Sequence, residues 1–173
     1  MLDASPKGTV PVLIASSHTL ENEILEESLD IALWALRPNE QVTRQHQLFW
    51  GMQPSKDAEQ LAAIKRNDSE FKYWLDRYKY HVGHREYPRE YYRNQAKAFL
   101  AEIEALLNDQ TYLFDDQPSL ADLMIFPFVR QFAFVDKEWF DRANYPRLQT
   151  WLNNWIDSEE FRLAMQKHVE WKS

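Results

Sequence analysis

Two kinds of hydrophobic spacing divide this 173-residue chain. Near the amino end, Val10-Pro11-Val12-Leu13-Ile14-Ala15 is a β-branched run. It is followed by the turn-forming Ser16-Ser17-His18-Thr19 and a second apolar pair, Ile24-Leu25. The pattern predicts strand, loop and strand. From Ser28 the period changes, with Leu29, Ala32, Leu33 and Leu36 at i, i+3, i+4 and i+7, the spacing of one helix face. Arg37-Pro38-Asn39-Glu40 stops that run, and residues 38–50 read as a linker.

From residue 51 onward the spacing is helical. A helix is expected from Ser55 to about Lys65, with Asn67-Asp68-Ser69 ending it and capping the next, in which Phe71, Trp74, Leu75 and Tyr78 share a face. A long helix follows Pro88, whose fixed φ suits a first helical position. Its stripe is Tyr92, Ala96, Phe99, Leu100, Ile103 and Leu107. Another helix follows Tyr145-Pro146, with Leu148, Trp151, Leu152, Trp155 and Ile156 on one side.

Ser119-Leu120-Ala121-Asp122 is the sharpest local signal. In this S-x-x-D form the Ser119 hydroxyl accepts from the amide three residues on, and the Asp122 carboxylate reaches back to the Ser119 amide. The helix it opens, to about Val135, is apolar nearly all round, from Leu120 through Phe126, Phe128 and Phe132 to Phe134. Such a helix belongs at the centre of a bundle. Pro127 inside it removes one backbone hydrogen bond and should kink it.

Composition narrows the chemistry. Twenty Lys and Arg against 27 Asp and Glu give a net charge of −7, which disfavours nucleic acid and anionic membrane as partners. With no cysteine, disulfides, thiolate zinc sites and cysteine nucleophiles are excluded. The three glycines, at 8, 51 and 83, form no phosphate-cradling loop. The amino end carries no secretory signal, and the longest apolar stretch, Leu123 to Val129, falls far short of the roughly 20 residues that cross a bilayer. A cytoplasmic protein is expected.

Two charged groupings carry weaker signals. His81 and His84 lie near Glu86 and Glu90, but around Gly83 they have no established ligand spacing, so no metal is expected. Arg85, Arg89, Arg93 and Lys97 recur every four residues beside Glu86 and Glu90, which reads as a solvated helix face. An anionic ligand is the sharper alternative for that stripe.

Three ordered stretches resemble the cytosolic glutathione transferase family. Ser5-Pro6-Lys7-Gly8-Thr9-Val10-Pro11-Val12-Leu13 is similar to the segment entering the third strand of its thioredoxin-like domain. Glu27-Ser28-Leu29-Asp30-Ile31 matches its E-S-x-x-I signature, and Ser119-Leu120-Ala121-Asp122 its helical-domain capping motif. Phe71 to Tyr78 and Phe126 to Phe132 resemble bacterial members in particular. The resemblance implies a mostly α fold. A truncated thioredoxin-like part (1–37, two short strands and a helix) and a linker (38–50) would precede an all-helical C-terminal domain (51–173).

The resemblance also implies roles. Pro11 matches a proline preceded by a cis bond, turning the Val10 main chain toward the cysteinyl part of glutathione. Glu27 and Ser28 match the pair holding the γ-glutamyl end. Tyr73, Arg77 and Tyr80, with His84 nearby, fall where the acceptor-substrate pocket is bordered. Glutathione is the ligand implied, together with a small electrophilic or oxidised second substrate.

The family's catalytic Tyr, Ser or Cys lies in a strand–helix–strand unit ahead of the Ser5-Pro6 segment. Ten residues precede Pro11, so the catalytic position is expected to lie outside this chain, with Met1 either a start or an internal methionine. Two strands and one helix lack cover for Val10–Ala15 and for Leu29, Leu33 and Leu36. A homodimer with an interface over residues 10–36 is therefore expected. Two functions follow: a glutathione transferase-like protein carrying the binding half of the site, or a non-catalytic ligand-binding or interaction module of the same fold. Independent catalysis by this chain is not expected.

Overall fold

The computed structural model describes residues 5–15, 23–36 and 56–169. The chain divides into two compact units, Met1–Gly51 and Met52–Ser173. The expected Ser16–Thr19 turn, the 38–50 linker and the helix start at Ser55 lie outside the described residues.

In the first unit, β1 (Leu13–Ala15) and β2 (Glu23–Leu25) pair antiparallel, with Leu13 opposite Leu25, Ile14 opposite Ile24 and Ala15 opposite Glu23. Side chains alternate between the faces of a strand. Leu25 is thereby buried, whereas Ile14 and Ile24 meet on the other face at 48% and 46% exposure. Helix α1 (Ser28–Ala35) follows, and none of its residues is fully buried.

The second unit is helical. It runs through α2 (Asp57–Arg66), a π-helical turn (Asn67–Phe71), α3 (Lys72–Lys79), a 3-10 turn (His81–Gly83) and α4 (Arg89–Leu106). Helices α5 (Leu120–Val135), α6 (Lys137–Arg142), α7 (Pro146–Ile156) and α8 (Glu159–Ala164) complete it. Phe71 stacks on Phe99 at 4.7 Å between ring centroids, and Phe132 joins Phe71 and Tyr78 at 5.7 and 5.0 Å. These rings tie α3, α4 and α5 together. Burial of one such ring contributes on the order of 2 kcal/mol.

The expected break at Asn67-Asp68-Ser69 does not occur. Asn67 is fully buried in helical geometry, and its side-chain amide donates to Asp68 Oδ1 at 3.1 Å. The Ser69 hydroxyl donates back to the Lys65 carbonyl at 2.8 Å. These local bonds form without ending the helix, although the buried Asn67 Oδ1 has no hydrogen-bond partner. The wider π turn absorbs an extra residue, and Ile64, Phe71 and Leu75 all remain in the core.

The basic stripe is solvated, with Arg85, Arg89 and Lys97 exposed and Arg93 half-buried, yet two of its members also reach the end of a neighbouring helix. Arg89 donates to the Val135 carbonyl at 3.0 Å and lies 5.1 Å from the Tyr78 ring. Arg93 pairs with Asp136 at 3.4 Å and sits 4.5 Å from the Trp139 ring. Helix α5 has no basic residue in its own last turn, so α4 supplies positive charge to its carbonyl end. Helix α5 is central but not covered all round: Phe134 is 53% exposed, and Leu123 and Phe128 are half-buried.

Candidate functional site

The first unit gathers its charged groups around one turn. Ser5-Pro6-Lys7-Gly8 closes through the Gly8 amide donating to the Ser5 carbonyl at 3.2 Å. Gly8 has φ 64°, a conformation that suits a residue without a Cβ. Ser5 is buried and its hydroxyl donates to Glu26 Oε1 at 2.5 Å. Lys7 reaches Glu27 Oε1 at 2.8 Å and Glu26 at 3.8 Å. The hydrogen bond to Glu27, and then its charge, raise the exposed Lys7 ammonium above its ordinary pKa.

The Val10–Pro11 peptide is cis, and Val10 is 75% exposed. Glu27 stands in extended geometry just before α1 (φ −114°, ψ 142°), and its carbonyl accepts from the Ile31 amide at 3.1 Å. Its side chain makes no cap bond to the helix, so the carboxylate is directed to Lys7 instead. Ser28 opens the helix and is exposed. First-turn amides without helical partners and the positive end of the dipole make this a favourable place for a carboxylate.

Sequence reasoning missed Lys7, Ser5 and Glu26. Lys7 and Glu27 are twenty residues apart, beyond any local periodicity. The Ser-Pro-Lys-Gly turn signal, with proline second and glycine fourth, was the available clue that Lys7 stands at a loop tip.

In the second unit Tyr73 and Arg77 form one group. The Arg77 guanidinium lies 3.4 Å from the Tyr73 ring centroid, and Arg77 donates to the Tyr73 carbonyl at 3.2 Å. Tyr80 is 57% exposed and pairs with Lys79, whose ammonium is 4.8 Å from its ring. These three residues line none of three cavities of about 370–460 Å³ in this unit. His81 Nε2 is 3.0 Å from the Tyr87 carbonyl oxygen. Among the described residues no three His, Asp or Glu side chains could jointly hold a metal ion. No helix of those residues is long and apolar enough to cross a membrane.

Ser119 and Asp122 form a reciprocal cap at the start of α5. The Asp122 amide donates to Ser119 Oγ at 3.4 Å, and the Ser119 amide donates to Asp122 Oδ2 at 2.9 Å. The same carboxylate accepts from Ser119 Oγ at 2.5 Å, the Leu113 amide at 3.0 Å and Trp151 Nε1 at 2.8 Å. Burial pushes the Asp122 carboxyl above its usual pKa, against the pull of these four donors. This node joins α5, α7 and the loop before α5, and it is wholly engaged in the fold.

The helical unit carries the decisive likeness. Its residues 58–154, more than half of the chain, match the family profile described as the glutathione S-transferase C-terminal domain. The chain belongs to the glutathione S-transferase family. Among solved structures, it resembles a glutathione transferase family member from Pseudomonas fluorescens Pf-5 determined with two glutathione bound. The TM-score is 0.73 at 18% identity over 91% of this chain and 70% of that one. A Burkholderia graminis glutathione transferase with two glutathione molecules per subunit gives 0.71 at 20% identity, over 91% and 67%. The glutathione S-transferase of Xylella fastidiosa gives 0.71 at 16%, over 95% and 77%. At such identities the likeness is one of fold. No curated protein sequence matches the chain.

Proposed function

We propose that this protein is a glutathione transferase-like protein whose first unit binds glutathione. Membership in the family through residues 58–154 carries this reading. Structural relatives solved with glutathione bound support it.

In this reading the main chain of Val10, an exposed residue, pairs with the cysteinyl part of the tripeptide, as an added strand does. Pro11 sets the direction of that segment, Ser28 and the first-turn amides of α1 receive the γ-glutamyl carboxylate, and Glu27 takes its ammonium. Glu27 then shares its carboxylate with Lys7, whose exposed pair exchanges readily in water. Tyr73, Arg77 and Tyr80 border the second substrate, a small electrophile or oxidised compound. The reaction class is that of the family, conjugation of glutathione or glutathione-dependent reduction. Thiol chemistry requires a thiolate, and a thiol with a pKa of about 8.5 is mostly protonated at neutral pH.

The working form is a homodimer in the cytoplasm, where glutathione is held reduced. The Ile14–Ile24 face supports the dimer, since a second copy would remove both side chains from water. Calorimetric titration with reduced glutathione tests the reading. One site per chain is expected, and an absence of binding heat at millimolar ligand over several temperatures contradicts it.

A further inference from the structure

Between α5, α7 and α8 lies a cavity of about 460 Å³, within the range of small-molecule sites. Leu123, Phe126, Pro127, Trp155, Phe161 and Met165 make its walls apolar. Phe126 meets Phe161 edge-on at 5.2 Å and Trp155 at 5.6 Å, so the aromatic wall is braced from two helices.

Arg130 is the cationic exception in this lining. Its guanidinium is held 5.1 Å from the Phe161 ring and 5.0 Å from the Phe134 ring. The Nε atom is buried without a hydrogen-bond partner. No acidic side chain among the described residues pairs with Arg130; Glu160, on the same lining, is exposed and forms no ion pair with it. A partly desolvated guanidinium without a counter-charge is costly, and an anion seated on it offsets that cost.

We propose that this cavity binds a small apolar monoanion, an aryl or short alkyl carboxylate. Its body lies against Phe126, Trp155 and Phe161, and its carboxylate meets Arg130. Glu160 sets the charge limit: a second negative group on the ligand would meet a like charge across the same cavity. The volume favours a compact molecule over a segment of polypeptide. None of the lining residues is among Val10, Pro11, Glu27 and Ser28, and the inference does not rest on the glutathione reading.

The test uses the full chain. 1-Anilinonaphthalene-8-sulfonate fluorescence is displaced by 2-naphthoate and, separately, by the neutral 2-naphthamide. The acid should displace the dye at roughly tenfold lower concentration than the amide, as a charge-assisted hydrogen bond predicts. Arg130→Gln, which keeps the aliphatic stem, should weaken the acid about tenfold and leave the amide within twofold; Arg130→Lys should restore part of the difference. Ala164→Trp, filling the cavity from exposed α8, should abolish displaceable fluorescence with an unchanged circular dichroism spectrum. Equal potency of acid and amide on the parent protein overturns the proposal, as does indifference to Arg130→Gln. Displacement of the dye by glutathione also overturns it.

Discussion

Trp151 donates its indole N–H to Asp122 across 2.8 Å of buried space, joining the middle of α7 to the first turn of α5. Both residues are within 2% of complete burial. The carboxylate thus has one partner from outside its own cap and loop, and Trp151 fixes the angle between two helices rather than one helix end.

Removing the carboxylate strands all four donors. Asp122→Ala should destabilise the protein by about 3 kcal/mol, because buried donors left without an acceptor carry their full desolvation cost. Trp151→Phe keeps most of the ring packing and leaves the other three donors in place, so about 1–2 kcal/mol is expected. Urea denaturation of the two variants measures both, and equal losses would contradict the four-donor account.

The same node has a pH signature. Burial raises the Asp122 carboxyl in the folded state, while in the unfolded chain it titrates near about 3.9. The folded protein therefore takes up this proton at higher pH than the unfolded chain. Its contribution to stability is fully present below the unfolded pKa and is lost as pH rises through the folded pKa. Relative to Asp122→Asn, the parent protein should gain stability as pH falls from 7 toward 4. Denaturation midpoints of the pair across that range measure it; a relative loss on acidification would contradict it.

Glu104, on α4, caps a helix to which it does not belong. Its carboxylate accepts from the amides of Arg147 at 3.2 Å and Leu148 at 2.7 Å, in the first turn of α7. Tyr145, the residue before that helix, provides no side-chain cap. Glu104→Ala should cost about 1–2 kcal/mol, the loss typical of a helix cap with a charge at the positive dipole end. Glu104→Gln should recover part of that loss. Thermal denaturation distinguishes the two variants.

Helix starts were legible because their causes are local. Pro88, Pro146 and the Ser119–Asp122 pair stand at or beside the positions where α4, α7 and α5 begin. The π turn was not legible, because Asn67 has the composition of a cap and its burial is a tertiary fact. The solvated stripe was legible, but the partners of Arg89 and Arg93, Val135 and Asp136, were not, because they lie 46 and 43 residues away. In the first unit, the Glu27-Ser28 motif was visible, but the Lys7 ammonium on Glu27 was not. Arg130 was hidden for a related reason: only the folded chain brings Phe161 against it.

The exposed Ile14–Ile24 pair predicts assembly. Ile24→Lys places a charge on the sheet face without disturbing Leu25 on the other side. Sedimentation velocity should show a dimer for the parent protein and a monomer for the variant. A monomeric parent at tens of micromolar would contradict the assembly.

The glutathione reading is tested most directly by calorimetry on the parent protein, Glu27→Gln, Ser28→Ala and Tyr73→Phe. Glu27→Gln and Ser28→Ala should each weaken glutathione binding about tenfold, the loss expected for one charge-assisted contact. Tyr73→Phe, on the second-substrate side, should leave the tripeptide affinity within twofold. Unchanged affinity in both first-unit variants, or no glutathione binding by the parent protein, would contradict the account.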